Sequence, residues 1–378
     1  MHYPFKKIAI AMSGGVDSSV AAALLKDQGY EVAGFTIKTW DCDDPNAVKA
    51  GTKTCCSNDD VNDARAVANK IGIPFYVVDA EQVFQEKVVK PFEEEYSQGR
   101  TPIPCTNCNE YIKWGYLYEQ VRKLGFEAVA TGHFAKLGFD EDTSRHFIIQ
   151  GDDALRDQSF FLFSVPQENL KNTVFPVGDL TKEEVRKIAE RYDLSTADKP
   201  GSMDICFVKG GSYADKIKVN MHEHEGEVWH VDGRVLGTHQ GLFRYTIGQR
   251  KGLGIADKEP LYVTKIDKEN KRIVLGPEDA LLQSELLATH LTWGRINQLK
   301  EYQPFYAKIR YRQTPQPCVA KVLANGQLHV KFNEPVRAIT PGQAVVLYDR
   351  ESAVCLGGWI INHIEPKASV LLDIKADA

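Results

Sequence analysis

Three cysteines and one glycine loop hold most of the chemical potential of this chain. Cys105 and Cys108 lie in Arg100-Thr101-Pro102-Ile103-Pro104-Cys105-Thr106-Asn107-Cys108-Asn109, and Cys206 lies in Ile205-Cys206-Phe207 about a hundred residues on. A thiolate is a nucleophile, a sulfur carrier or a metal ligand, so the compartment decides how the eight cysteines are read. No apolar run reaches the roughly 18 residues of a membrane span, and Ile8–Met12 after Lys6 and Lys7 is too short for a secretory signal. A cytoplasmic, reducing location is expected, with thiols rather than structural disulfides. The two prolines predict a stiff, nonhelical loop with Cys108 opening the next helix, where the helix dipole favours thiolate. The plainer readings of Cys-x-x-Cys are zinc and thioredoxin-like redox. Zinc wants a second ligand pair, and no second Cys-x-x-Cys occurs. A thioredoxin motif should follow a strand in a much smaller fold. Cys42, Cys55, Cys56, Cys318 and Cys355 read as packing or incidental thiols.

The other chemical feature is Ser13-Gly14-Gly15-Val16-Asp17-Ser18. Lys7–Met12 before it reads as a buried strand, and Ser18–Gln28 after it as a helix ended by Gly29. Glycines let the backbone approach a ligand, and amides at a helix start cradle phosphate oxygens. It is neither GxxxxGK[ST] nor GxGxxG. Glu31–Ile37, Pro74–Asp79 and Ala128–Thr131 read as further strands, alternating with helices over Asn58–Lys70, Gln82–Gln98 (interrupted near Pro91) and Asn109–Leu124. Ser57 and Asp60 have the spacing of a capping box. This alternation implies an α/β fold with a doubly wound parallel sheet, whose ligands sit at the carboxyl ends of its strands.

After Cys206 the period falls to two. Glu227–Val231 and Val235–His239 flank Asp232-Gly233, and Cys318–Leu323 and Gln327–Phe332 flank Asn325-Gly326, both hairpin signals. With strands over Ala344–Tyr348 and Val354–Ile361, a small β-rich central domain and a C-terminal β-barrel follow. Alternation over Tyr306–Arg312 places Lys308, Arg310 and Arg312 on one face, as phosphate contacts or as an ordinary solvated face. Net charge is -5 overall. Residues 241–378 hold 19 Lys+Arg against 14 Asp+Glu, and residues 1–240 hold 27 against 37. An acidic front and basic back suit a protein of which one part touches a polyanion.

Ser13–Ser18 resembles the PP-loop of the ATP pyrophosphatase superfamily, whose members split ATP between the α and β phosphates. By that resemblance Ala11, Met12, Ser13, Gly14, Gly15, Val16, Asp17 and Ser18 hold ATP, Asp17 is a partner for Mg²⁺, and Ile37 and Gly132 line the adenosine. SGGVDSS, GRTPxPxxxCN, ICFV, GQRKGLG (Gly248–Gly254), RYRQ (Arg310–Gln313) and TPGQ (Thr340–Gln343) together resemble the tRNA-specific 2-thiouridylases over essentially the whole chain. The resemblance implies that Cys108 is the nucleophile and that Cys206 carries a persulfide sulfur to carbon 2 of the adenylated wobble uridine. A transient Cys108–Cys206 disulfide follows. It implies tRNA contacts at Ile103, Pro104, Cys105, His133, Arg156, Asp157, Gln158, Arg310, Tyr311 and Gln343. Tyr311 reads either as stacking on a base or as joining the core, and His133 has a plainer reading as hydrogen-bonded structure. It further implies a sulfur-donor partner, a cysteine desulfurase or a sulfur carrier, and a monomeric enzyme. Many members read Asn-Pro-Asp where this chain has Ile103-Pro104-Cys105, so the role of that Asp does not pass to Cys105. Ile37 replaces a Met found in some.

The expected domains are 1–215 (PP-loop, with a helical linker within about 165–200), 216–283 (central) and 284–378 (barrel). No resident metal site is expected. An iron–sulfur cluster on Cys105, Cys108 and Cys206 is the less favoured alternative to a persulfide relay. The rival readings are another PP-loop ligase or amidase, which would not need Cys108 and Cys206, and a noncatalytic RNA-binding module. Pyrophosphate release that depends on a sulfur donor separates all three.

Overall fold

The computed structural model describes residues 3–39, 58–200, 205–207 and 225–363. Cys42, Cys55, Cys56 and Ser57 lie outside them. The first unit is a five-stranded parallel sheet in the order β3-β2-β1-β4-β7, from β1 (Lys7–Ala11), β2 (Glu31–Lys38), β3 (Phe75–Asp79), β4 (Ala128–Thr131) and β7 (Thr173–Val174). Ile8 and Ile10 are fully buried on β1 against Val20 and Ala21 of α1 (Val16–Asp27) and Ala64 and Val67 of α2 (Asn58–Ile71). Apolar runs covered on both faces are what central parallel strands require. Strand order reverses at β1/β4, so both carboxyl ends open onto one crevice. The β5–β6 hairpin (Ala135–Asp140, Arg145–Gln150) and the two-residue β7 were not expected. Both are too short or too polar to stand out in the sequence.

Two helical runs differ from expectation. Residues 81–97 run on through α3 (Glu81–Phe84), a π-helical stretch over Gln85–Val89 and α4 (Lys90–Ser97). Pro91 has no amide to give, and the wider π turns just before it absorb the loss. The second case bears on the cysteines. A helix begins at Pro104 as α5 (Pro104–Asn107), continues as a π-helical stretch Cys108–Leu117 and ends as α6 (Tyr118–Lys123). Proline suits the first helical position, where φ is preset and no amide is needed. Cys105 therefore sits in the first turn. Cys108 lies one turn in, beyond the strongest part of the dipole, which corrects the expectation that Cys108 opens the helix.

Helices α7 (Gln167–Leu170) and α8 (Lys182–Arg191) follow, the latter capped reciprocally by Thr181 and Glu184. The central unit is a sheet in the order β10-β11-β8-β9, from β8 (Gly226–His230), β9 (Val235–His239), β10 (Tyr262–Asp267) and β11 (Arg272–Gly276). A closed barrel completes the chain in the order β12-β15-β14-β13-β16-β17. Its strands are β12 (Leu282–Trp293), β13 (Gln303–Lys308), β14 (Gln316–Val322), β15 (Leu328–Arg337), β16 (Ala344–Tyr348) and β17 (Val354–His363). Both hairpins stand where the turn signals put them. Cys318 and Cys355 are buried thiols, pushed up to about 12 by desolvation.

The cationic stripe on Tyr306–Arg312 is not formed. β13 ends at Lys308, and Lys308 turns inward to Asp157 at 3.2 Å, with both side chains nearly inaccessible. Asp157 also accepts from Gln150 Nε2, Gly151 N, and the amide and hydroxyl of Ser159. A buried carboxylate must be compensated, and the barrel supplies the cation that does so. Lys308→Met should destabilise the protein by about 3 kcal/mol, the low end for a broken buried pair, while Lys308→Met with Asp157→Asn recovers part of it. Denaturation midpoints of both singles and the double check this, and simple additivity would contradict it.

Candidate active site

The glycine loop joins β1 to α1 at the crevice. Gly15 caps α1, and the Ser18 and Ser19 hydroxyls both donate to its carbonyl, while Ser13 N donates to Ser18 Oγ. First-turn amides of α1 have no acceptor within the helix, so they can serve an anion. The glycines have different causes. Gly14 has φ +70°, and a Cβ there would run into the Asp60 carbonyl of α2. Gly132, just past β4, would put a Cβ 2.5 Å from Ser18 N. Gly15 has φ -96° and ψ 163°, and its Cβ would meet nothing nearer than Ser13 Oγ at 3.5 Å. Neither strain nor packing asks for glycine at Gly15; close approach by a ligand does. The loop therefore fits a polyphosphate. Met12 and Val16 are core residues, so only their main chain is open to a ligand.

Two lysines with no motif of their own hold this loop. Lys182, the first residue of α8, lies 2.5 Å from Asp17. Lys199 donates to Gly14 O (2.9 Å), Asp60 Oδ1 (2.6 Å) and Asp63 Oδ2 (2.5 Å). Burial favours loss of the Lys199 proton, but bonds to the two aspartates outweigh it and the ammonium is held above its ordinary range. Asp60 and Asp63 are more than 130 residues away in sequence, which is why no local pattern reveals the site.

Cys105 is exposed, whereas Cys108 and Cys206 are half-buried and border one apolar cluster with Phe84, Phe92, Ile112 and Phe207. Phe207 meets Phe84 and Phe92 edge-on at 5.8 and 5.0 Å, fixing the chain beside Cys206. Ile37 touches the same cluster, next to an open cleft lined by Thr39, Asp79, Glu81 and Tyr116. Among the described residues no three His, Cys, Asp or Glu side chains are grouped to hold a metal ion.

His133 follows β4 and is buried. Lys113 donates to Asn109 Oδ1 at 2.9 Å and lies 3.2 Å from His133 Nε2. An ammonium only donates, so Nε2 accepts and Nδ1–H faces Thr131 Oγ1 at 2.7 Å. Burial, and then the Lys113 charge, drive the imidazole well below 6.5, so it stays neutral. Lys113 was not foreseen, although its place four residues after Asn109 puts both on one helix face.

The remaining expected contacts are largely drawn into the interior. Asp157 and Gln343 are buried, Gln158 Oε1 accepts from Phe134 N, and Tyr311 packs on Phe161 with centroids 4.5 Å apart. Tyr311 is thus half-buried against the core. Arg310 donates to Ile247 O at 3.3 Å and to Thr340 Oγ1, and burial brings its guanidinium down to about 10. Arg156 is half-exposed. Ile103 and Pro104 are buried, Ile103 in a cluster with Trp114 and the barrel residues Ala344, Val346 and Tyr348.

A doubly wound sheet with a glycine loop at its switch point defines a nucleotide-binding domain of the HUP class. A family model for a tRNA methyl transferase HUP domain matches residues 6–210; a PRC-barrel domain of the same group matches 214–277 and an aminomethyltransferase β-barrel domain 283–361. The tRNA-specific 2-thiouridylase MnmA of Geobacter metallireducens is 46% identical over 94% of this chain and 96% of its own length. That of Geotalea uraniireducens is 46% identical over 97% of each, and that of Clostridioides difficile 45% identical over 94% and 98%. The chain belongs to the tRNA-specific 2-thiouridylase family.

Two predictions follow from this geometry. Gly15→Ala keeps the fold but weakens ATP binding at least tenfold by calorimetry, whereas Gly14→Ala lowers stability by more than about 1 kcal/mol through strain at positive φ. Equal stability losses would contradict the division of roles. For His133 the folded pKa lies below the unfolded one. Its contribution is complete above pH 6.5 and is lost as pH falls below that value. Stability of the wild type should therefore fall between pH 6.5 and 5 more steeply than that of His133→Gln, by up to about 1.4 kcal/mol per pH unit. Parallel slopes would contradict a neutral buried imidazole.

Proposed function

We propose that this protein replaces the 2-oxygen of the wobble uridine of tRNA with sulfur, consuming ATP, by a relay through Cys206 and Cys108. The observation that carries the reading is the pairing of a glycine loop built for close ligand approach with two cysteines on one apolar cluster. The α1 amides and Gly15 hold the polyphosphate, with Ile37 and Gly132 beside the adenosine. Mg²⁺ accompanies ATP and neutralises phosphate charge. Asp17 is the loop carboxylate nearest to hand, with one of its oxygens on Lys182.

The uridine 2-oxygen attacks the α-phosphorus and pyrophosphate departs, so that carbon 2 carries a good leaving group. The terminal sulfur of a Cys206 persulfide attacks carbon 2, and AMP leaves with the oxygen. Cys108 thiolate attacks Cys206 Sγ. A Cys108–Cys206 disulfide forms, and the electron pair of the broken S–S bond stays on the sulfur attached to the base. A cellular thiol reduces the disulfide, and a cysteine desulfurase or sulfur carrier reloads Cys206. The apolar setting around both cysteines excludes water from the activated base. Cys105, exposed at the helix start, is an accessory thiol. Arg156 and the exposed Cys105 meet the tRNA, while Ile103, Pro104, His133, Asp157, Gln158, Arg310 and Tyr311 support that surface from beneath. The domains divide near 215 and 283, and the enzyme works as a cytoplasmic monomer. No helix among the described residues is long and apolar enough to cross a membrane.

Cys108→Ser and Cys206→Ser should each abolish thiolation (more than a hundredfold) while a single-turnover burst of tRNA-dependent pyrophosphate persists, and Cys105→Ser should keep at least a third of the activity in metal-free buffer. Loss of activity in all three, restored by iron and sulfide in the wild type, would replace the relay with a cluster.

A further inference from the structure

The loop that leads into Cys105 and Cys108 is held at each step by the two downstream domains. At Gly99, where φ is +70°, a Cβ would come 2.8 Å from Ile266 Cγ2 of β10 in the central unit, and the neighbouring Gln98 receives a bond from Lys268. Thr101 N donates to Pro341 O of the barrel at 2.9 Å. The Gln343 carboxamide donates to Thr101 O at 2.8 Å and reaches toward Pro102 O. Gly342 between them has φ +87°, and a Cβ on it would lie 2.9 Å from Thr101 N. The barrel turn thus meets the main chain of Thr101 through both its N–H and its C=O, in the manner of an added strand residue. Arg310 secures the turn from the other side through Thr340 Oγ1 and Ile247 O, so the turn is braced against the central unit as well.

We infer that Gln343 is a positioning residue for the sulfur-transfer step: it fixes the register of the Thr101–Pro104 segment and through it the placement of Cys108. The inference rests on the role given to Cys108 above. Pro102 and Pro104 make the segment stiff, so a fixed Thr101 dictates where the helix beginning at Pro104 starts. A displacement of about 1 Å at a reacting atom is enough to cost on the order of a hundredfold in rate. Gln343 is 8% exposed with its amide spent on Thr101, so its effect on catalysis runs through the loop rather than through the nucleic acid.

Gln343→Met keeps the volume and removes the donor. The expected result is a split: tRNA Kd, ATP KM and the first-turnover burst of pyrophosphate within twofold of wild type, and kcat for thiolation reduced at least tenfold. Formation of the Cys108–Cys206 disulfide and alkylation of Cys108 by iodoacetamide, followed by mass spectrometry, slow with it. The milder Gln343→Asn keeps an amide one methylene short and gives the same split on a smaller scale, which covers the case in which Gln343→Met does not fold. A raised tRNA Kd or KM with unchanged kcat would make Gln343 a direct RNA contact and overturn the inference, as would wild-type kcat in both variants. Cys108→Ser measured alongside separates the two readings. Full thiolation by Cys108→Ser would sink the relay itself, whereas an inactive Cys108→Ser with unaltered Gln343 variants sinks only the positioning role.

Discussion

The architecture turns on how closely main chain can pass main chain at the carboxyl edge of the parallel sheet. At Gly132 the chain leaving β4 crosses the first turn of α1 with room for hydrogen only, and at Gly14 the loop lies against the Asp60 carbonyl of α2. Those two approaches set the direction of the α1 amides. The Lys199 ammonium satisfies the loop carbonyl and two carboxylates that would otherwise stand unbalanced beside a phosphate site. Gly15, which neither packing nor strain explains, is then left as the place where a ligand comes near.

The downstream domains are more than attachments to this site. The buried Lys308–Asp157 pair and the Gln343–Thr101 bond join the barrel to the catalytic unit at two points, and Ile103 is buried among barrel side chains. Polar groups sequestered at such a junction are costly if separated, so the relative placement of the two units is specified as well as stabilised. The proposed sulfur relay would benefit from that rigidity, because Cys108 and Cys206 come from segments a hundred residues apart and have to meet in one order.

Much of this was legible in the amino-acid sequence. The strand, glycine loop and helix around Ser13–Ser18 declare themselves by local pattern, and Asp232-Gly233 and Asn325-Gly326 name their hairpins. The helix starts at Pro104 and not at Cys108 because proline breaks a helix in its interior but initiates one at the first helical position. The stripe of Lys308, Arg310 and Arg312 failed for a different reason. Alternation says which side chains share a face, but not whether an acid such as Asp157, 151 residues away, draws one of them inward. Lys182 and Lys199 were invisible on the same ground, since their partners are distant and each is an ordinary lysine locally.

The central claim is that one ATP is spent for each sulfur placed on carbon 2 of the wobble uridine. Purified protein, unmodified tRNA, ATP and a persulfide donor labelled with heavy sulfur provide the direct measurement, with AMP and labelled 2-thiouridine quantified together by mass spectrometry of the digested tRNA. The account predicts labelled 2-thiouridine at the wobble position in one-to-one ratio with AMP and none when either ATP or the donor is left out. AMP and pyrophosphate released in full without the donor, with nitrogen rather than sulfur joined to the tRNA, would contradict it.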